Sequence, residues 1–188
     1  AGLNGLGKFV QARDMLRQII PELDGEDLGI AWARLGFALF NLKEPWEEAY
    51  KQAVAFLRGE ELGRAQLNFG YALSMSGRDE EAEGIWLEAL SHFQKDPYFS
   101  VWIRYNLATI AMNNLEISAE RHLLNALQDI SNPKVESLRA SVWNGLGSFR
   151  NLLGEWDRAD FSYLQAIVKA TDVYAKQSAH RGRIRNQY

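Results

Sequence analysis

A short pattern of residues recurs four times along this chain. Each copy begins with a leucine or phenylalanine followed by glycine or alanine. About a dozen residues later comes a group of small and bulky apolar residues at helical spacing. The two clearest copies are Phe69-Gly70 with Ala82, Trp86 and Ala89, and Leu146-Gly147 with Ala159, Tyr163 and Ala166. Self-similarity at a period of a few tens of residues is typical of stacked repeat arrays and not of an enzyme built around one core.

The other copies are less regular. Copy one is interpreted with Pro45 beside one extra loop residue, and copy three has alanine in place of glycine and a short turn at 113–115. The glycine or alanine positions are 34, 38 and 39 residues apart. The chain is thus predicted to be one repeat domain with a half repeat at 1–24, repeats at about 25–59, 60–96, 97–133 and 134–172, and a terminal helix at 173–188. The residues that define the looser copies are Leu35, Gly36, Leu39, Ala49, Ala53 and Phe56 in copy one, Leu107, Ala108, Ala111, Ala119, Leu123 and Ala126 in copy three, and Gly7, Ala12, Leu16 and Ile19 in the half repeat.

The spacing within each copy predicts an amphipathic helix, because residues at i, i+4 and i+7 share one helical face. The glycine of the first helix allows the second helix to approach closely, and Trp86 or Tyr163 then fills the gap. Gly77 and Gly154 predict helix ends, and Asp79 is the expected N-cap of the following helix. Pro45, Pro97 and Pro133 fall between predicted helices. We therefore predict an all-α protein of about eleven helices, most of them paired as antiparallel hairpins.

This pattern resembles the tetratricopeptide repeat (TPR) family over nearly the whole chain. The resemblance implies an alpha solenoid, a right-handed superhelix of about four to five helical hairpins, whose first helices line a concave groove. Repeats longer than the usual length are similar to those in the sensor arrays of bacterial regulators, including the maltose-regulon activator and the peptide-binding quorum-sensing regulators.

The first helices, projected by their spacing, present a mixed polar and aromatic face to such a groove. Asn68 and Asn106 hold equivalent positions and look like the asparagines with which some TPR proteins hold an extended peptide. Lysines for a full carboxylate clamp are missing at matching positions, which argues against a receptor for chaperone tails. The predicted partner-binding residues are Arg34, Phe37, Arg64, Asn68, Tyr71, Trp102, Tyr105, Asn106, Thr109 and Asn113.

Composition narrows the function further. The net charge of −3 gives no electrostatic reason to expect direct nucleic acid binding. The chain has no cysteine, which excludes disulfides and cysteine-based zinc sites. No apolar run reaches the length of a membrane span, and the start lacks the apolar segment of a signal peptide, so we expect a cytoplasmic location without membrane partners. The absence of an initiator methionine suggests an excerpt of a longer protein.

Catalytic and cofactor motifs are not expected. The Gly2-x4-Gly7-Lys8 spacing resembles a phosphate-binding loop, but Phe9 replaces the required Ser or Thr. His92, His122 and His180 fall on three different predicted helices, and His92 is expected at a helix C-terminus. Neighbouring glutamates such as 47–48 and 80–81 are explained by their place at helix starts. No catalytic residue, metal or cofactor is therefore predicted. Three tryptophans are expected in the core, namely Trp46, Trp86 and Trp156, whereas Trp102 projects to the groove.

The basic segment 174–188 has two interpretations. It is either a patch for an acidic partner or the first helix of a further repeat, and we favour the second. Its buried stripe is then expected to contain Ala175, Ala179 and Ile184.

These observations predict a non-enzymatic protein–protein interaction module that binds a peptide or protein partner in its groove. The alternative is a ligand-sensing or oligomerisation domain of a larger bacterial transcription regulator. Apolar surface at the ends of a repeat array also allows a homodimer.

Overall fold

The same turn ends the first helix of all four hairpins. One residue adopts a positive φ of 56–78°, and the next N–H donates to the carbonyl five residues before it at 2.8–3.0 Å. Such a turn satisfies carbonyls that the helix end leaves without partners. Glycine is the residue expected there, yet copies one and three use lysine and leucine. The four positive-φ residues are Lys43, Gly77, Leu115 and Gly154.

The computed structural model describes residues 2–93, 97–130, 135–170 and 173–185. Within these ranges the chain forms ten α-helices and no strand, and helices that follow one another pack in pairs, which confirms the predicted helical class. The predicted number was about eleven; two short 3-10 turns, Ile20–Glu22 and Leu90–His92, extend the first and fifth helices. The helices are α1 Gly2–Ile19, α2 Gly25–Leu42, α3 Glu47–Phe56, α4 Gly59–Met75, α5 Asp79–Ala89, α6 Pro97–Asn113, α7 Ser118–Asp129, α8 Glu136–Leu152, α9 Trp156–Lys169 and α10 Val173–Arg185.

The starts of α5 and α6 differ slightly from those predicted. Asp79 is the first residue of α5 and not its N-cap; Arg78 holds the cap position, and the Asp79 carboxylate accepts a hydrogen bond from Ser74 Oγ at 2.7 Å. Pro97 begins α6, where its missing N–H costs nothing. Pro45 lies between α2 and α3, and Pro133 lies outside the described residues.

The helices form two compact units, one of residues 1–93 and one of residues 94–188. In the first unit α2 packs on α3 and α4 packs on α5, with α1 against α2. In the second unit α6 packs on α7, α8 on α9, and α10 against both α8 and α9. None of the described helices combines the length and the apolar character needed to cross a bilayer.

In three of the four hairpins a glycine of the first helix contacts an aromatic ring of the second helix, and two of these contacts, with Trp86 and Tyr163, were predicted. A β-carbon on Gly147 would lie 2.7 Å from the ring of Tyr163, and one on Gly36 would lie 3.0 Å from the ring of Tyr50. Both rings are buried. The helices therefore approach until the ring touches the opposite backbone.

In copy one the ring that contacts the glycine is not the predicted residue. Tyr50, not Phe56, fills the gap beside Gly36, and Phe56 is 40 % exposed. Tyr50 follows Gly36 by 14 residues, whereas Tyr163 follows Gly147 by 16. Residues 43–46 connect α2 and α3, one residue more than the connection 153–155 of copy four, which confirms the predicted extra loop residue. The difference arises because Tyr50 is the fourth residue of α3, about one turn earlier in its helix than Tyr163 in α9.

The tryptophan predictions were partly right. Trp86 is buried, and Trp46 is half-buried among the rings of Phe40, Tyr50 and Phe69. Trp156, by contrast, is 55 % exposed, because it begins α9 one turn before the first buried residue of that helix.

The buried stripe of α10 was also partly right. Ala179 is buried, but Ile184 is exposed, and Gly182 instead makes the close contact with α9. A β-carbon on Gly182 would lie 2.4 Å from Tyr163 Cε1. Tyr163 thus contacts glycines of both α8 and α10.

Candidate partner-binding groove

An open groove of about 620 Å³ lies in the first unit, between α1, α2 and α4. Its floor is largely apolar, and its polar groups come from α2 and α4. The lining residues are Phe9, Ala12, Met15, Leu16, Ile30, Ala33, Arg34, Phe37, Ala38, Leu57, Glu61, Arg64, Ala65 and Asn68. This volume falls in the range of specific ligand sites in proteins.

Helical spacing brings these side chains to one surface. Arg34 and Phe37 are one turn apart on α2, and Glu61, Arg64 and Asn68 follow the i, i+3, i+7 spacing of one face of α4. Small residues between them leave the depth of the groove open, as three of the lining positions are Ala33, Ala38 and Ala65.

An aromatic pair forms one wall. The ring of Phe37 meets the ring of Phe9 edge to face, with centroids 5.8 Å apart, and 42 % of Phe37 remains exposed. Met15 on α1 is also exposed. Large apolar side chains that face solvent inside a concave site offer area that a ligand can bury.

The two arginines of the groove differ in their contacts. Arg64 Nη1 lies 3.7 Å from Glu61 Oε1. Arg34 is exposed, and no described residue accepts a hydrogen bond from its guanidinium or forms an ion pair with it. The groove therefore carries one guanidinium that is open to a carboxylate of a ligand.

Four of the ten predicted partner-binding residues meet in this groove: Arg34, Phe37, Arg64 and Asn68. Tyr71 also belongs to the first unit but does not line the groove. Its ring packs edge to face on Phe40 at 6.0 Å.

The other five predicted residues lie on α6 of the second unit. Trp102 and Tyr105 meet edge to face at 6.3 Å and line a small cavity of about 110 Å³ with residues of α8. Burial raises the pKa of the Tyr105 phenol. Thr109 donates its hydroxyl to the Tyr105 carbonyl at 3.0 Å, so this group is used within the helix. Asn106 is half-buried, Asn113 is exposed in the last turn, and neither lines this cavity or the groove.

Helix α1 contributes to the groove, and this contribution was not predicted. The half repeat of Gly7, Ala12 and Leu16 predicted this helix, but its residues Phe9 and Met15 were not projected onto the groove. Glu61 was missed too, although its spacing from Arg64 and Asn68 places all three on one face of α4.

No histidine is among the described residues that line the groove. His92 closes the turn after α5, as expected. His122 is half-buried on α7, where burial and then Arg121 and Arg104 lower its pKa. Among the described residues, no group of three histidine, aspartate or glutamate side chains is placed to hold a metal ion.

Comparison with known proteins gives a fold and no family. No family model matches the chain, and no curated protein matches it in sequence. Among solved structures it is similar to BtubC (BKLC) from P. vanneervenii, with a TM-score of 0.70 and 18 % identity. The match covers 100 % of this chain and 90 % of BtubC. At this identity the likeness shows a shared fold.

Proposed function

We propose that the first unit is a non-enzymatic interaction module that binds an extended peptide segment of a protein partner in the groove between α1, α2 and α4. The observation that carries this proposal is the exposed guanidinium of Arg34, which has no partner among the described residues, beside the exposed ring of Phe37. A partner segment with a bulky apolar residue next to an aspartate or glutamate is complementary to both groups.

Three further features support a peptide ligand. Asn68 offers both a donor and an acceptor, which suits a backbone amide. The apolar floor supplies area for burial, and Arg64 beside Glu61 adds a second, partly neutralised cation. The hairpins also share one turn geometry, and three of them share a glycine–ring contact. These regularities support our proposal that they are repeats of the tetratricopeptide class.

A peptide array tests the selectivity directly. Ten-residue peptides that vary one apolar and one charged position are probed with the wild-type chain. We expect retention of peptides that combine Leu, Phe or Trp with a neighbouring carboxylate. Arg34→Glu should reverse the preference from acidic to basic neighbours, because it reverses the charge beside the apolar floor. Phe37→Ala should weaken binding of every retained peptide.

Matched control variants make the result specific. Arg121→Glu makes the same charge change on the exposed face of α7, and Leu87→Ala removes an exposed apolar side chain from α5. Both should leave the selection unchanged. The proposal is wrong if the wild type retains no peptide, or if Arg34→Glu and Arg121→Glu select the same sequences.

A further inference from the structure

A second cavity, of about 400 Å³, lies in the second unit among α8, α9 and α10. Its character differs from that of the groove, because most of its lining residues are polar. Two arginines line it, and no described lining residue is a carboxylate. The lining residues are Asn144, Ser148, Asn151, Leu152, Tyr163, Ser178, Arg181, Gly182 and Arg185.

The close packing of α10 creates this cavity. Gly182 lies against Tyr163, so the backbone of α10 approaches α9 as closely as a ring allows. This contact brings Arg181 and Arg185, one helical turn apart, to the cavity. Arg183 is held elsewhere, since its Nε donates to Asp160 Oδ1 at 2.6 Å. No described residue accepts a hydrogen bond from the side chain of Arg181 or Arg185, or forms an ion pair with either.

The asparagines opposite them are incompletely satisfied. The side-chain oxygens of Asn144 and Asn151 are buried, and no described group donates a hydrogen bond to either. The contacts of the neighbouring groups are long, at 3.4 Å from Asn144 Nδ2 to Ser178 Oγ and 3.4 Å from the Tyr163 hydroxyl to Ser148 Oγ. A buried carbonyl oxygen without a donor is unfavourable, and a ligand with O–H groups supplies what is missing.

We propose that this cavity binds a small phosphorylated ligand that also carries hydroxyl groups, of the sugar-phosphate class. Arg181 and Arg185 would hold the phosphate, because two guanidinium groups match the charge of a phosphomonoester dianion and donate to several of its oxygens. The hydroxyl groups would donate to the oxygens of Asn144 and Asn151. The volume is that of a small-molecule site.

The cavity has a cationic part, the two arginines, and an acceptor part, the two asparagine oxygens. A simple anion or a neutral sugar can match only one of these parts. An inorganic anion leaves the asparagine oxygens without donors, whereas a neutral sugar leaves the arginines without a counter-charge. The site shares no residue with the groove of the first unit, so the two proposals succeed or fail independently.

Calorimetric titration with glucose 6-phosphate, inorganic phosphate and glucose tests the inference. The titrations are run at 150 mM salt, where weak surface attraction is largely screened. We expect glucose 6-phosphate to bind at least tenfold more tightly than inorganic phosphate, and glucose not to bind. Arg181→Gln and Arg185→Gln should each weaken the phosphate ester at least tenfold. Asn151→Ala should reduce its advantage over inorganic phosphate.

Lys176→Gln is the matched control, because it removes an exposed charge from the same helix without touching the cavity. Its affinity should stay within twofold of the wild type, and circular dichroism confirms that each variant is folded. The inference is overturned if glucose 6-phosphate does not bind at millimolar concentration. It is equally overturned if the arginine variants bind like Lys176→Gln, or if N-acetyl-dialanine, which carries a carboxylate, binds more tightly than the phosphate ester.

Discussion

Gly70 and Trp86 lie in direct contact, because a β-carbon on residue 70 would be only 2.4 Å from Trp86 Nε1. The same indole nitrogen donates a hydrogen bond to the Leu67 carbonyl at 3.0 Å, one turn before Gly70. The ring of α5 is thus fixed against the backbone of α4 by contact and by a hydrogen bond. This pair joins the two helices of the second hairpin.

Gly70→Ala is therefore expected to destabilise the protein by about 1–3 kcal/mol, since a methyl group there forces the ring away. This steric cost exceeds the gain from helix propensity, which favours alanine over glycine by about 1 kcal/mol. Urea unfolding followed by circular dichroism measures the difference. Gly84→Ala is the control on α5, where nothing lies within 4 Å of the new β-carbon, and it should stabilise. Equal effects of the two substitutions would refute the contact.

Arg150 and Arg158 donate to the same oxygen, Glu120 Oε1, at 2.7 and 2.8 Å. The side chain of Arg150 is 10 % exposed and also donates to the buried Ser162, whereas that of Arg158 is 54 % exposed. Arg150→Ala should cost about 3 kcal/mol, because it leaves polar groups buried without a partner. Arg158→Ala should cost about 0.5 kcal/mol or less. Chemical denaturation of both variants tests the ranking, and a larger loss for Arg158→Ala would contradict it.

Acid should weaken the link between α3 and α5. Hydrogen bonds from Arg78 and then Lys51 lower the pKa of Glu47 to about 2. In the unfolded chain the pKa of a glutamate is about 4.3. Because the pKa of Glu47 is lower in the folded protein, its ionised carboxylate stabilises the fold at a pH above that value, and this stabilisation is lost as the pH falls toward 2. The side chains of Glu47 and Arg78 are each about a third exposed, so solvent weakens their interaction. We therefore expect the pair to contribute about 0.5 kcal/mol to the free energy of unfolding. Glu47→Gln should be less stable than the wild type at pH 6 and equal to it near pH 2, as measured by urea titration at each pH. A difference that does not change with pH would exclude this role.

The two equivalent asparagines should behave differently toward a partner. Asn68 lines the groove of the first unit, and Asn106 does not line it. In pull-downs with partners selected by the peptide array, Asn68→Ala should reduce capture several-fold, and Asn106→Ala should leave it unchanged. If only Asn106→Ala reduces capture, the partner binds the second unit and the groove proposal is wrong.

Much of the helical framework was predictable, because it follows from local spacing. Gly70 with Trp86 and Gly147 with Tyr163 were recognised from the distance between a small and a large residue. Tyr50 was missed because the ring that contacts the glycine comes 14 residues after it in copy one, and 16 residues after it in the two clearest copies. The predicted superhelical stacking and the predicted homodimer stay predictions.

The candidate site was predicted less completely. Arg34, Phe37, Arg64 and Asn68 came from projecting one face of two first helices, and they do meet. Projection does not show which other helix closes the site, so Phe9 and Met15 were absent from it. It also did not show that Trp102 and Tyr105 line a small cavity with residues of α8.

The sequence by itself determined the helices, most of their ends and the glycine–ring contacts of copies two and four, because each depends on residues close together in the chain. The tertiary structure decided which of the exposed side chains share a cavity. Arg34 and Phe9 line one groove only because α1 packs against α2. Arg181 and Asn144 line one cavity only because Gly182 lets α10 lie on Tyr163. Such meetings depend on helix packing between distant segments, which no local spacing encodes.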